Sequence, residues 1–461
     1  MDAPQFDDLR TAPAGVLADA LAARRVSAVE ACDATIERIE RLDGPINAVV
    51  VRDFDRARAA AKAADAALAK GERRPLLGVP MTVKEAHNLA GLPTTWGIEQ
   101  ARGFIPAADS VGVARLKAAG AVIVGKTNVP PHLGDWQSVN PIYGRTNHPL
   151  EPARTPGGSS GGSAAALAAG MIPLEFGSDI GGSIRVPSAF CGVFGHKPSY
   201  GVIPGRGHVP PGVDGAEVEL GVIGPMARTV ADLELALGVL AGPDELDGAG
   251  YSLALPKPRH ERLADYRVLV IDQHPIAKAQ GEITAALGAL AADLEKAGVS
   301  VARSSNLVPD LEAAHQVYLT MLGAIVSRGS PGVAEPISAH AWMNALDAQI
   351  AIRRRWAELF ETFDVVLAPP FGVVAFPHDA RPFGQRIHVI DGEETPYMNQ
   401  VAWPGMASLA NLPATAAPIG VTQGGLPIGV QIIGPYLGDK TTIAFAGHLE
   451  RELGRTFGGR T

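Results

Sequence analysis

The chain has 461 residues, 46% hydrophobic and 19% charged, enough apolar material for a large core and too little charge for disorder. Forty Lys and Arg against 48 Asp and Glu give a net charge of −8, and only 5% of residues are aromatic. That balance argues against a nucleic-acid surface, which needs clustered cations and stacking faces. Two cysteines, Cys32 and Cys191, cannot build a disulfide framework, so nothing points to an oxidising compartment. The opening stretch Met1–Leu9 is polar and acidic, without the basic and apolar regions of a leader, and the Ala-rich run Ser163–Met171 is too short to span a bilayer. The expectation is a cytoplasmic globular protein with no membrane partner.

The first 70 residues read as helices. Val16, Leu17, Ala20 and Leu21 share one apolar face. Ser27 with Glu30 forms a capping box, opening a helix whose buried face carries Val29, Cys32, Ile36 and Ile39. An Ala-rich helix, about Arg56 to Ala69, ends at Gly71. Pro80–Lys84 is extended. Ser110–Ala119 is helical with Gly120 after it, and Ala121–Val124 is a buried strand. Ser163–Ala169 reads as helix and Pro173–Phe176 as strand. Strands at Val268–Ile271 and Val299–Ala302 flank a helix at about Ile283–Ala297, and Phe363–Ala368 is extended. Ile419–Val421 and Ile428–Ile433 flank Gly424-Gly425, a hairpin signal. Alternating strands and helices predict an α/β protein with a large sheet covered on both faces, and no linker divides the chain.

Several motifs resolve into ordinary structure. The glycine run Pro156–Ser163 lacks the Lys that a phosphate loop requires after its last glycine. It holds G-x-S-x-G around Ser159 and again around Ser160, the pattern of an α/β-hydrolase elbow. That elbow needs a preceding strand, and His148–Thr155 does not read as one, so an α/β-hydrolase-type esterase using Ser159 or Ser160 stands as the weaker alternative. The 12 histidines include no pair within five residues, so no metal-ligand spacing is present and no cofactor is expected. Cys191 reads as a small buried residue, and Arg353-Arg354-Arg355 as a solvated helix face.

Three segments carry chemistry: Val83-Lys84-Glu85, Gly157–Ser163, and Gly177-Ser178-Asp179-Ile180-Gly181-Gly182-Ser183-Ile184-Arg185-Val186-Pro187. Singly, each has a bland alternative as a surface cation, a flexible loop or a turn. In this order, with Gly120–Asn128, Gly195–Gly201, Gly224–Asp232 and Gly425–Gln431, the sequence resembles the amidase signature family over nearly its whole length. The resemblance implies one α/β domain built on a large mixed sheet. Helices would occupy about 13–70, the core about 75–235, and the completion of the sheet and the substrate pocket about 265–455.

It also implies a Ser-cisSer-Lys triad of Ser183, Ser159 and Lys84, with a cis bond before Ser159. An amide carbonyl is a poor electrophile, so the nucleophile must lose its proton as it attacks. A neutral Lys can accept that proton only if burial lowers its pKa. Apolar Met81, Val83 and Ala86 around Lys84 are compatible with burial. Gly181 and Gly182 leave backbone N–H groups accessible, so Ile180, Gly181, Gly182 and Ser183 are the expected oxyanion hole. Asp179 and Arg185 are expected to form a structural pair. Glu85 and Glu175 stand where many family members have Asp and a small residue.

The stretch Gly134–Gly144 resembles stand-alone amidases, including those acting on aryl amides and urethanes, rather than amidotransferase subunits that transfer ammonia to tRNA-linked acyl groups. A small-molecule amide or carbamate is the implied substrate, and a monomer or homodimer the implied assembly. Trp136, Tyr143, Phe371 and Trp403 are candidate pocket walls, with Phe376 and Phe383 beside them. Residues 372–395 read as a long loop, a candidate lid. A non-catalytic binding homologue is the alternative from another class.

Overall fold

The computed structural model describes residues 11–329 and 335–456; the Met1–Leu9 stretch lies outside them. The chain opens with α1 (Ala14–Ala22) and α2 (Ala28–Leu42), followed by β1 (Val49–Arg52) and α3 (Phe54–Ala69). The capping box forms: Ser27 Oγ accepts from Glu30 N at 3.1 Å, and Glu30 Oε2 accepts from Ser27 N at 2.8 Å. In α1, Leu17, Ala20 and Leu21 are buried, but Val16 turns outward at 43% exposure. It lies at the border of a stripe that the other three residues already fill.

Next come β2 (Pro80–Lys84), α4 (Val111–Ala118), β3 (Val122–Thr127) and the short pair β4 (Val139–Asn140) and β5 (Gly144–Arg145). The central segment is α5 (Gly161–Ala168), β6 (Leu174–Asp179), α6 (Arg185–Cys191), β7 (Phe194–Lys197), β8 (Val222–Ala227), α7 (Val230–Leu240) and α8 (Glu245–Gly248). The remainder is β9 (Arg267–Val270), α9 (Gly281–Lys296), β10 (Ser300–Ala302), α10 (Leu311–Gly329), α11 (Ala339–Thr362) and β11 (Val365–Ala368). It continues with β12 (Ile387–Ile390), β13 (Glu393–Pro396), α12 (Ala402–Leu409), β14 (Ala414–Val421), β15 (Pro427–Ile433) and α13 (Asp439–Glu452). The expectation that the first 70 residues are all helical needs correction: Val49–Arg52 forms β1, where three consecutive β-branched valines favour extended chain. Strands β7 and β8 have no sequence prediction, because Gly or Gly-Pro interrupts them, as in Val222-Ile-Gly-Pro-Met-Ala227.

Eight strands form one sheet in the order β10-β9-β11-β15-β14-β7-β8-β6. Strands β10, β9 and β11 are mutually parallel, and the other neighbours pair antiparallel, so the sheet is mixed. Both faces are buried. Val268 and Val270 of β9 join one apolar cluster with Leu287 of α9 and Phe445 of α13. Leu269, between them, joins another with Trp356 of α11 and Met406 of α12. The strand period of two sends neighbouring residues to opposite faces, so a sheet covered on both sides reads as a continuous apolar run. A second sheet, β1-β3-β2, stands apart from the large one, and β2 lies against β6. Lys84 closes β2 at this seam. No helix of the described residues is long and apolar enough to cross a membrane.

Candidate active site

Every residue of β2 is buried, because β2 pairs with β3 and packs on β6. Lys84, its last residue, has no solvent exposure. Its Nζ donates to Ser159 Oγ at 2.7 Å, to Ser178 Oγ at 2.9 Å and to the Ser178 carbonyl at 3.4 Å. Burial lowers the Lys84 pKa from 10.5 to about 7, against the opposing pull of the Asp179 and Glu175 carboxylates. The amine can therefore be neutral near neutral pH.

Ser159 follows a cis Gly158–Ser159 bond. A Cβ on Gly158 would fall 2.3 Å from the Asp135 carbonyl oxygen, so only glycine lets the 135–137 backbone approach. Ser160 N donates to the Ser183 carbonyl at 3.1 Å, tying the two serine loops together. Helix α5 starts directly at Gly161. The chain from Thr146 to Gly158 carries only an isolated bridge at Arg154, so the strand of an α/β-hydrolase elbow is missing.

Ser183 lies in the turn between β6 and α6 and is 6% exposed. Asp179 organises this turn. Its Oδ1 accepts from Gly182 N at 2.9 Å, and its Oδ2 from Ile184 N at 3.0 Å and Arg185 N at 3.3 Å. Arg185, wholly buried, donates to both Asp179 oxygens, to Gln431 Oε1 at 2.7 Å and to Ser408 Oγ at 2.9 Å. Burial opposes ionisation of Asp179, but the Arg185 guanidinium outweighs it and holds the carboxyl well below its ordinary value. Gly182 sits at φ +93°, and a Cβ there would meet Val186 Cγ2 at 2.7 Å.

One expected oxyanion donor needs correction: the Gly182 N–H is directed at Asp179 rather than left open. The flanking carbonyls are held too. Ile180 O accepts from Tyr318 OH at 2.8 Å, and Gly181 O from Trp136 Nε1 at 2.9 Å. Ser178 and Tyr318 have no counterpart among the sequence candidates. The Ser178 hydroxyl was within the motif; Tyr318 is on α10 and carries no local signal.

The four candidate pocket aromatics do not come together. Trp136 and Phe371 meet at 4.9 Å between ring centroids and share a cluster with Phe376, Tyr397, Val186 and Phe190. Trp403 belongs to the opposite cluster, with Trp356, near His274. Tyr143 instead donates its hydroxyl to Glu85 at 3.1 Å. Residues 372–395 are not one open loop, because β12 and β13 pair as a hairpin beginning at Ile387. Just before Trp136, Asp135 accepts from Arg386 and from Tyr397 OH at 2.8 Å, which ties that hairpin region to the site. A cleft of about 370 Å³ lined by Arg154, Phe376, His388 and Tyr397 backs the aromatic cluster. A cleft of similar volume on the small sheet, lined by Arg56, Lys117 and Ile123, includes none of the triad candidates.

The remaining residues singled out by the sequence make contacts of their own. Glu85 also accepts from Thr95 N at 2.6 Å and Trp96 N at 2.9 Å. Glu175 accepts from Thr127 Oγ1 at 2.7 Å, and burial raises its pKa to about 7. His87 stacks on Phe176 at 4.1 Å, and burial pushes its pKa well below 6.5. Cys191 is buried. Arg353 is not simply solvated, since its guanidinium lies 3.4 Å from the Tyr436 ring centroid. Among the described residues, no group of three or more His, Cys, Asp or Glu is placed to hold a metal ion.

The profile of the family described as Amidase matches residues 30–330 and 321–443. The chain is 34% identical over 491 aligned positions to a glutamyl-tRNA(Gln) amidotransferase subunit from Anaeromyxobacter dehalogenans (strain 2CP-C), covering 97% of this chain and 96% of that one. A solved chain from a vestigial protein complex bearing on the origins of an s-triazine catabolic enzyme superposes with TM-score 0.84 at 31% identity, covering 96% of this chain and 99% of that one. A bacterial aryl acylamidase of the amidase signature family superposes with TM-score 0.79 at 25% identity, covering 95% and 96%. With the mixed sheet and the linked Lys and Ser loops, these matches agree: the chain belongs to the amidase signature family.

Proposed function

We propose that this protein is a stand-alone amidase that hydrolyses small-molecule amides, with anilides, carbamates and aryl esters as the substrate classes to separate. The observation that carries the proposal is a fully buried lysine, with its pKa near 7, bonded at 2.7 Å to Ser159 beside the Ser183 turn. Ser183 Oγ attacks the carbonyl carbon, its proton passes to Ser159 Oγ, and the Ser159 proton passes to neutral Lys84. The N–H groups of Ile180, Gly181 and Ser183 stabilise the developing oxyanion. The leaving amine takes a proton from Ser159, which Lys84 replenishes, and an acyl-enzyme remains. Water then attacks, its proton follows the same route, and Ser183 recovers its own as the carboxylic acid leaves.

Mass spectrometry after fluorophosphonate treatment tests the nucleophile: the wild type gains one adduct on Ser183, and Ser183→Ala gains none. A panel of aliphatic amides, anilides, carbamates and aryl esters then assigns aryl acylamidase or urethanase character. The 34% identity to an amidotransferase subunit favours a second reading, ammonia release from glutamine for transfer to a tRNA-linked acyl group. A net charge of −8 fits poorly with tRNA contact. Assay with glutamine and glutamyl-tRNA, with and without candidate partner subunits, separates the two.

A further inference from the structure

The turn that would hold an oxyanion is clamped from outside its own segment, Gly177–Pro187. Tyr318, on α10, is wholly buried, and its hydroxyl donates to the Ile180 carbonyl at 2.8 Å. Trp136, 6% exposed in the loop before β4, donates Nε1 to the Gly181 carbonyl at 2.9 Å. A peptide unit is planar, so fixing its carbonyl oxygen fixes the N–H on the opposite side. Tyr318 thus aims the Gly181 N–H. Trp136 and Asp179 grip the two ends of the next peptide, whose N–H is that of Gly182.

Both clamps are themselves held. A Cβ on Gly405 of α12 would meet Tyr318 Cδ1 at 2.9 Å, so that helix packs directly on the ring. Trp136 packs on Phe371 and on Tyr397, whose ring centroid lies 5.1 Å away. Its neighbour Asp135 is bonded by Arg386 and Tyr397. A phenol or an indole in the interior needs a hydrogen-bond partner, and these two find theirs on consecutive carbonyls of one turn.

We propose that Tyr318 and Trp136 are positioning residues that preorganise the oxyanion turn by fixing the Ile180 and Gly181 carbonyls. This inference rests on the function proposed above and adds to it the residues that set the donor geometry. Preorganised donors lower the barrier because they need no reorientation as charge develops. Loss of a whole oxyanion donor costs roughly 10²–10³ in kcat. Loosening a donor that remains costs less, about tenfold on the same scale.

The test compares wild type, Ser183→Ala, Tyr318→Phe and Trp136→Phe on one anilide, with affinity for an aryl trifluoromethyl ketone measured alongside. Tyr318→Phe keeps the ring and removes only the hydroxyl. It is expected to lower kcat about tenfold with KM within twofold, and to weaken the ketone, which forms a tetrahedral adduct, by a similar factor. Should Tyr318→Phe not fold, Trp136→Phe loosens the next peptide, whose Gly182 N–H anchors the turn on Asp179, and is expected to lower kcat in the same direction by a smaller factor. A folded variant that keeps kcat within twofold of wild type, or that changes only KM, overturns the clamp. Absence of wild-type turnover across the whole panel of aliphatic amides, anilides and carbamates, or turnover by Ser183→Ala, overturns the proposed function instead; where the wild type prefers another amide of the panel, the comparison is made on that amide.

Discussion

Lys84 Nζ lies 2.7 Å from Ser159 Oγ in a site closed to solvent, and burial has moved its pKa from 10.5 to about 7. Only the uncharged amine has a lone pair for a proton. At saturating amide, kcat is expected to rise with pH through about 7 and then level off. Lys84→Ala should cost about 10²–10⁴ on amides and less on aryl esters, whose leaving group needs little protonation. His87 stays neutral in this range and makes one weak bond, Nε2 to the Gly177 carbonyl at 3.4 Å. His87→Asn is therefore expected to leave the profile in place. A pH–rate series on the three proteins decides the matter, and loss of the profile in His87→Asn would exclude Lys84 as the base.

The same burial has a sign for stability. The unfolded chain holds the Lys84 proton up to about 10.5 and the folded protein releases it near 7, so unfolding takes up protons between those values. Wild-type stability should rise with pH across that window. Lys84→Met removes this contribution and is expected to be more stable than wild type at pH 7, by about 1 kcal/mol. The difference should shrink toward pH 10.5. Urea denaturation at pH 7 and pH 10 measures it, and an unchanged difference would count against a desolvated amine.

Ser183→Ala should abolish acyl-enzyme formation and leave the fold intact, because the Asp179 and Gly182 contacts of its turn use backbone and other side chains. Intact-mass analysis during aryl-ester turnover reads the acyl adduct, and circular dichroism reads the fold. An adduct in the variant would move the nucleophile to Ser159 or Ser160.

Arg185 and Asp179 form a pair with no solvent exposure on either side chain. Arg185→Met leaves a buried carboxylate unpaired, at a cost of about 3–5 kcal/mol. Asp179 has a depressed pKa, so the pair's contribution is complete above the ordinary value of 3.8 and is lost as pH falls through the folded value. Denaturant midpoints against pH should therefore drop in acid for the wild type and less steeply for Arg185→Met. Equal slopes would mean that the pair is not what acid breaks.

Gly158→Ala should lose both stability and activity, because its Cβ would lie 2.3 Å from the Asp135 carbonyl oxygen. Overpacking of this kind costs about 1–3 kcal/mol, and here the obstacle is backbone, which cannot rotate aside. Thermal melts and anilide turnover check it, and a wild-type melt would show that the 135–137 stretch of chain can shift.

What the sequence determined by itself is what contiguous residues encode. Ser27 and Glu30 sit at the spacing of a capping box, and Gly424-Gly425 joins two apolar runs into the β14–β15 hairpin. The glycine turns bearing Ser159 and Ser183 are local backbone devices, readable because glycine is needed wherever another backbone comes close. Lys84 was singled out by the family resemblance, and its apolar neighbours were compatible with burial without establishing it. Tertiary structure decided the partners. Arg185 finds Gln431, 246 residues away, and Tyr318 reaches Ile180 across 138 residues. The burial of Lys84, and so its lowered pKa, depends on β2 lying against β6, two strands of different sheets. The pocket candidates separated for the same reason: an aromatic residue's hydrophobicity requires burial but does not say against which face. Trp136 and Trp403 are alike as residues, yet they were sent to different clusters by the strands and helices around them.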